Sequence, residues 1–332
     1  VIIAKGSRGD IQPVVALALR LKESGAYVKV LTNHGTEAFV RSFSLQADGY
    51  PWEVDASLDV RAPDVEGVLD VVCPRWAKGE EPRTIYSKVR AIQPDVVLYK
   101  RFNVVEGLVI EEQLGCRAVE YGFCPDSAVL PEGTDGAAFR LRLVSRKKRF
   151  LDTYLGVETL RGLTLEAMRS RPFLFAASKE VVVRDQALSE AQMTGFWVLG
   201  PGREAELFEA GSPAFGGQRR RELLAFLGSG PPPVYIGWGS MFANSREFMA
   251  QLAVRTLRLL NERGIVLGGD VDLDRAALRS AQDARELTAY ADRHVLWLPT
   301  APHEWLMPRC KATVHHGGCG TTAAALRAGR PM

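Results

Sequence analysis

The sequence predicts an α/β protein with two doubly wound, parallel-sheet domains, and three observations carry that reading. A β-loop-α-β unit opens the chain. A second α/β pattern begins after the proline run Pro231-Pro232-Pro233. The closing stretch, Ala312 to Ala324, reads as a strand, a glycine turn and a helix. At 332 residues the chain is too long for one ordinary core. The division expected is a first domain over 1–199, an interdomain linker over 200–232 and a second domain over 233–332.

Val1 to Lys5 is a short apolar strand, followed by the loop Gly6-Ser7-Arg8-Gly9-Asp10 and a helix from about Gln12 to Ser24. Pro13 suits the first turn of that helix, and Gly25 suits the position just past its end. Tyr27 to Thr32 is a second strand. Between Asp48 and Gly79 the pattern is irregular and supports no assignment. Pro94 to Tyr99 reads as a later strand and Val104 to Leu114 as its helix, with further strands at Arg117–Tyr121 and Phe173–Ala177. Gly200 to Gly217, rich in glycine, proline and acidic residues, has the composition of a linker. The second domain follows with strands at Val234–Trp238, Ile265–Gly268, Val295–Leu298 and Thr313–His315. Its helices fall at Arg246–Glu262 and, briefly, Glu304–Met307. Two Rossmann-like domains of this kind hold ligands at the carboxyl ends of their strands, hence in the cleft between them. No repeat of solenoid period is visible.

Hydrophobic content of 46% with 24% charged residues is that of a soluble globular protein. A formal charge of +3 makes no case for nucleic acid. The five cysteines (Cys73, Cys116, Cys124, Cys310, Cys319) are odd in number and scattered, which suits reduced thiols in the cytosol better than a disulfide framework. No apolar run approaches the ~20 residues that span a bilayer, and no signal peptide is expected before Val1. A cytoplasmic location, with or without peripheral membrane contact, follows as the expectation. The chain begins without Met, directly in a strand, and stops at Gly329-Arg330-Pro331-Met332, where another strand is due. The second domain is therefore expected to be incomplete.

The chemistry concentrates in three loops. At the carboxyl end of the last strand stand His315 and His316, then Gly317-Gly318-Cys319-Gly320, with three glycines in four residues, then Thr321 and Thr322 opening an Ala/Leu helix. Glycines let backbone approach a ligand, and the free N–H groups and positive dipole of a helix start favour an anion. The threonine hydroxyls and a His316 N–H can add donors, so the pattern points to a diphosphate. A plain strand-turn-helix without ligand is the simpler alternative. A metal cluster of the histidines with Cys310 and Cys319 lacks the usual ligand spacing. Gly237-Trp238-Gly239-Ser240 follows the first strand of the second domain and offers a second arm to the same phosphates, expected two strands away from the His316 loop. Gly6-Ser7-Arg8-Gly9-Asp10 is not the dinucleotide Gly-x-Gly-x-x-Gly, so a nicotinamide cofactor is not expected. Asp10 is either a helix cap or a general base that takes a proton from a substrate hydroxyl.

The residues Gly6 to Pro13, Thr194-Gly195-Phe196-Trp197, Val234 to Met241, and Pro302 to Leu306 through His315 to Thr322 together resemble the inverting UDP-sugar glycosyltransferases of family 1. Those enzymes have the two-domain GT-B fold. The likeness is strongest to sterol 3-beta-glucosyltransferases and to the bacterial enzymes that glycosylate glycopeptide antibiotics. It implies a first domain that binds the acceptor and a second that binds the nucleotide sugar. On that resemblance His316, Gly317, Gly318, Gly320 and Thr321 hold the diphosphate with help from Ser240, while Leu298 to His303, with Pro302 and His303 as contacts, lies against the uracil. Asp10 occupies the position of the catalytic base, and one displacement inverts the anomeric centre. No cofactor or metal is implied, the UDP-sugar being a co-substrate. The reaction implied is transfer of a hexose, glucose being the family's commonest, to a hydroxyl on an apolar acceptor such as a sterol. Family members continue past the position of Met332 to an acidic-Gln pair that holds the sugar. Its absence keeps open an alternative, a catalytically inactive, glycosyltransferase-like structural or nucleotide-sensing subunit.

Arg140 to Arg149 holds six basic residues with Phe139, Leu143, Phe150, Leu151 and Tyr154 interleaved. Such a segment suits either a solvated helix or peripheral contact with an anionic membrane. Trp52, Trp76, Phe102, Tyr121 and Phe123 are candidates for an apolar acceptor pocket or for the core.

Overall fold

A computed structural model describes residues 1–52, 79–124, 134–182, 191–240, 244–269 and 273–332. The chain forms two compact units, Val1–Trp197 and Val198–Met332. Trp76, Cys73, Met241 and most of the irregular stretch from Asp48 to Gly79 lie outside the described residues.

The first unit is a seven-stranded, all-parallel sheet in the order β3-β2-β1-β4-β5-β6-β7. Its strands are β1 (Ile2–Ile3), β2 (Lys29–Asn33), β3 (Gln46–Tyr50), β4 (Val96–Lys100), β5 (Arg117–Gly122), β6 (Phe173–Phe175) and β7 (Ala191–Met193). Central strands of such a sheet are covered on both faces, which explains the unbroken apolar run at β1, where Ile2 and Ile3 are buried and pair with Val30 and Leu31 on one side and Leu98 and Tyr99 on the other. Strand β2 runs two residues later than expected, leaving Tyr27 largely exposed.

The first helix also departs from expectation. It spans Arg8–Glu23, starting a turn earlier than Gln12, because Ser7 caps it and Asp10 completes the capping box. Pro13 consequently sits inside the helix, where it withholds the N–H that would reach the Gly9 carbonyl. Gly25 does follow the helix end with φ +91°, as its position suggested.

The basic segment divides into two helices, Gly136–Lys147 and Arg149–Leu155. Its apolar face is already covered: Phe139, Leu143 and Leu151 join the core of the unit. Lys147 is buried too, bonded to buried Glu106 and 3.6 Å from Glu81, which also pairs with Lys5. Arg140 lies 3.5 Å from Glu120. Among the described residues no helix is long and apolar enough to cross a membrane.

The second unit has a four-stranded parallel sheet ordered β10-β9-β8-β11, with β8 at Val234–Gly237, β9 at Gly264–Leu267, β10 at Val295–Leu298 and β11 at Ala312–His315. Strand alternation sorts its core onto two faces. Tyr235, Ile265 and Leu267 pack on one side and Val234, Ile236 and Val266 on the other. Residues 200–232, expected as a linker, are instead largely ordered as helices at Pro201–Glu209 and Arg220–Gly228. Each buries an apolar anchor, Phe208 and Leu223, in the second unit's core. Glu204 also accepts a 2.8 Å hydrogen bond from the Glu304 N–H. Glycine and proline here serve helix ends: Pro201 opens the first helix and Gly216 turns with φ +70°.

Candidate functional site

Open parallel sheets leave a crevice where neighbouring strands send their chains off in opposite directions, and each unit has one such point. In the second unit β8, β9 and β10 progress one way, while β11 returns to the free side of β8. The loops after β8 and β11 therefore face each other. The sequence placed them two strands apart; they belong to adjacent strands, with His315 in register with Gly237.

These loops meet around the His316 ring. A Cβ on Gly239 would fall 2.6 Å from His316 Cε1, and one on Gly318 would fall 2.4 Å from His316 Nε2. Only hydrogen fits at either place. Gly239 also has φ +60°, a conformation side chains resist. Gly269, after β9, closes the third side, since its Cβ would meet the Gly239 carbonyl at 2.4 Å. Although His316 is exposed along one edge, this crowding strips water from the ring and lowers its pKa, opposed by a hydrogen bond to the Gly237 backbone. His315 is likewise lowered, by burial and then by neighbouring His316, and its Nδ1 accepts the Gly317 N–H at 3.2 Å.

Beyond the histidines, Gly318 caps the helix Cys319–Ala328, which lays its first N–H groups beside the ring. Gly320 is exposed and Thr321 half-exposed on its first turn, and Ser240 is exposed at the end of the opposing loop. His303 lies on the same sheet's edge of the site, bonded through Nε2 to the Tyr235 hydroxyl at 2.8 Å. Burial holds that phenol in its protonated form. Pro302 is buried and anchors the turn of helix His303–Leu306 through its carbonyl, which accepts the Leu306 N–H at 2.8 Å. The arrangement can present N–H and hydroxyl donors to an anion from two loops and one helix start. Among the described residues no group of three His, Cys, Asp or Glu is placed to hold a metal ion.

In the first unit the corresponding crevice lies between β1 and β4. Asp10 stands there, and the helix-cap reading describes one half of its contacts. Oδ2 accepts the Ser7 N–H at 3.1 Å, the capping role, while Oδ1 receives the Lys100 ammonium from the end of β4. Gly6, with φ +134°, makes room: a Cβ there would lie 2.0 Å from Asp10 Oδ2. Lys100 lies 5.3 Å from the centre of the Phe123 ring, which packs on Tyr121 and Trp197 with centroids 5.5 and 5.6 Å away. Tyr121 and Phe123 are buried, and Trp52 and Phe102 pack partly buried against the core, so these aromatic residues serve packing first. Sequence reasoning missed Lys100, whose signal is a lysine ending an apolar strand.

Comparison with known proteins places the chain. Residues 1–68 match the glycosyltransferase family 28 N-terminal domain. A sterol 3-beta-glucosyltransferase of Arabidopsis thaliana is 26% identical over 372 aligned positions, covering 100% of this chain and 53% of that protein. A sterol 3-beta-glucosyltransferase of Neurospora crassa is 28% identical, covering 98% of this chain and 22% of its own length. The chain thus spans about half or less of the length of these relatives. Among solved structures, the glycosyltransferase of kitacinnamycin superposes with a TM-score of 0.63 at 16% identity, covering 100% of this chain and 78% of that one. An Arabidopsis thaliana glycosyltransferase complexed with UDP gives 0.62 at 13% identity, covering 99% and 77%. The resemblance read from the motifs is borne out: by sequence the chain is similar to the sterol 3-beta-glucosyltransferases, and its fold is that of the GT-B glycosyltransferases.

Proposed function

We propose that this glycosyltransferase relative transfers a hexose, glucose first among candidates, from a UDP-sugar to the hydroxyl of an apolar acceptor, a sterol above others, with inversion. The observation that carries the reading is the His316 ring held between Gly239 and Gly318 at the head of the Cys319–Ala328 helix. That is a donor set suited to a diphosphate. The relatives named as sterol 3-beta-glucosyltransferases support the acceptor class and the sugar.

In this reading Asp10 takes the acceptor's hydroxyl proton as that oxygen bonds to the anomeric carbon. The bond from that carbon to the diphosphate oxygen breaks in the same step, so the configuration inverts and UDP leaves with the electron pair. His316, the N–H groups of Gly318 and Gly320, and the hydroxyls of Thr321 and Ser240 meet the charge that develops on the diphosphate. Pro302 and His303 flank the base of the nucleotide. The charge is met by protein donors, so transfer proceeds without a metal or other cofactor. A surface contact through Arg140–Arg149 would be chiefly electrostatic, because Phe139, Leu143 and Leu151 of that segment are used in the core.

The test is incubation of the protein with UDP-glucose and a sterol, with and without EDTA, followed by mass spectrometry and NMR of the product. A steryl glucoside of anomeric configuration opposite to the donor's, formed equally with chelator, is the expected result. A product of retained configuration, or transfer that stops with EDTA, contradicts the mechanism. Asp10→Asn should lower turnover about 100-fold or more while leaving UDP affinity intact, the scale of losing a general base.

A further inference from the structure

We propose that Lys100 is the positioning residue for the base of this reaction, holding one oxygen of Asp10 so that the remaining lone pairs face the acceptor hydroxyl. The inference rests on the transfer reading above and deepens it.

Topology supplies the first support. β1 and β4 are neighbours, with Ile3 opposite Tyr99, yet the chain leaves them in opposite directions. The residue after Tyr99 therefore looks across the crevice at the loop that follows β1. That residue is Lys100, and its partner lies 90 positions away in sequence. The second support is the state of the carboxylate. Asp10 has about four lone-pair sites. One on Oδ2 receives the Ser7 N–H, which is the whole of the Asp10 side chain's share in the capping box; the Ser7 side chain supplies the other bond. The ion pair on Oδ1 adds nothing to the cap. It does fix the rotation of the carboxylate, because the two oxygens are now tied to different elements, the loop before the first helix and the end of β4.

The lysine is itself fixed. Asp10 is its hydrogen-bond partner among the described residues, and the Phe123 ring stands on another side of the ammonium. Phe123 cannot drift, being wedged against Tyr121 and Trp197. The side chains of Lys100 and Asp10 are 20% and 34% exposed, so the pair stands at the wall of the crevice rather than within the core or in open water. An ion pair so exposed contributes little to stability. Its geometry, rather than its energy, is what the site uses. Among the described residues, Lys100 from β4 and the Tyr121 hydroxyl from β5 are the groups that face Asp10 from the neighbouring strands. In the step itself the acceptor's proton goes to Asp10, and the lysine neither gives nor takes one.

Lys100→Met and Lys100→Arg, measured beside Asp10→Asn in the intact protein, test the assignment. The readouts are kcat and acceptor KM for sterol glucosylation, UDP affinity by calorimetry, and melting temperature. Lys100→Met should lower kcat about 10- to 100-fold, the scale of a base displaced by an ångström, with KM and UDP affinity within about twofold. Lys100→Arg should recover most of the rate. Wild-type kcat in Lys100→Met overturns the proposal, as does a loss shared equally by kcat, UDP affinity and melting temperature. Asp10→Asn separates the two levels. If it loses turnover while Lys100→Met does not, only the role of Lys100 falls. If it also turns over at the wild-type rate, the base assignment falls and the lysine's role with it.

Discussion

Several of the site's side chains are where they are because a glycine beside them has no Cβ. Gly6 is the sharpest case: its φ of +134° and the 2.0 Å gap to Asp10 Oδ2 leave no room for a methyl group. Gly6→Ala should therefore expel the Asp10 carboxylate and lower turnover at least 10-fold, with about 1–3 kcal/mol of backbone strain read as a lower melting temperature. Unchanged turnover would mean that Asp10 acts from another position. His316 makes a pH prediction. Crowding lowers its pKa from the ordinary 6.5, and the ring already bonds the Gly237 backbone. To donate its other nitrogen to a phosphate, the ring must take up a proton. The bound anion raises the pKa that burial had lowered, so UDP binding should tighten as pH falls through the region below 6.5. Calorimetry in two buffers of different ionisation enthalpy should detect the proton uptake in wild type and not in His316→Asn. Equal enthalpies in both buffers would show that the imidazole binds neutral.

Elements show which signals local sequence carries. The helix Val104–Leu114 and the strand Val295–Leu298 were legible to the residue, because apolar spacing and a following glycine or proline mark them. The strand, glycine turn and helix around His316 were legible for the same reason, since glycines, hydroxyls and a strand end fall within ten residues. The Arg140–Arg149 segment was open between surface and membrane because its counter-charges lie far away in sequence. Glu106 and Glu81 receive Lys147 in the interior, and only the folded unit brings them together. That contact makes a stability prediction. Lys147→Met leaves the Glu106 carboxyl buried without its cationic partner, which costs about 3–5 kcal/mol in urea unfolding. The double change with Glu106→Gln should recover a large part of that loss. A Lys147→Met protein as stable as wild type would remove the ion pair from the account of the core. The linker reading failed for a similar reason: composition registered the glycines and prolines of 200–217, while Phe208 and Leu223 make that region part of the second unit.

For the whole molecule, the two sheets apply one rule twice. Each places its candidate residues where neighbouring strands part, Asp10 and Lys100 between β1 and β4, and the Ser240 and His316 loops between β8 and β11. The sequence announced the loops but not the strand order that joins them, because sheet order is a long-range property that local spacing does not encode. In the proposed reaction the second unit holds a nucleoside diphosphate through the His316 loop. Calorimetric titration of UDP into the protein without added metal, in wild type and in His316→Ala, tests it most directly. Micromolar binding that weakens about 10- to 100-fold in the variant is the predicted result, the scale of one charge-assisted contact of ~1.5–3 kcal/mol. UDP affinity that His316→Ala leaves unaltered would contradict it.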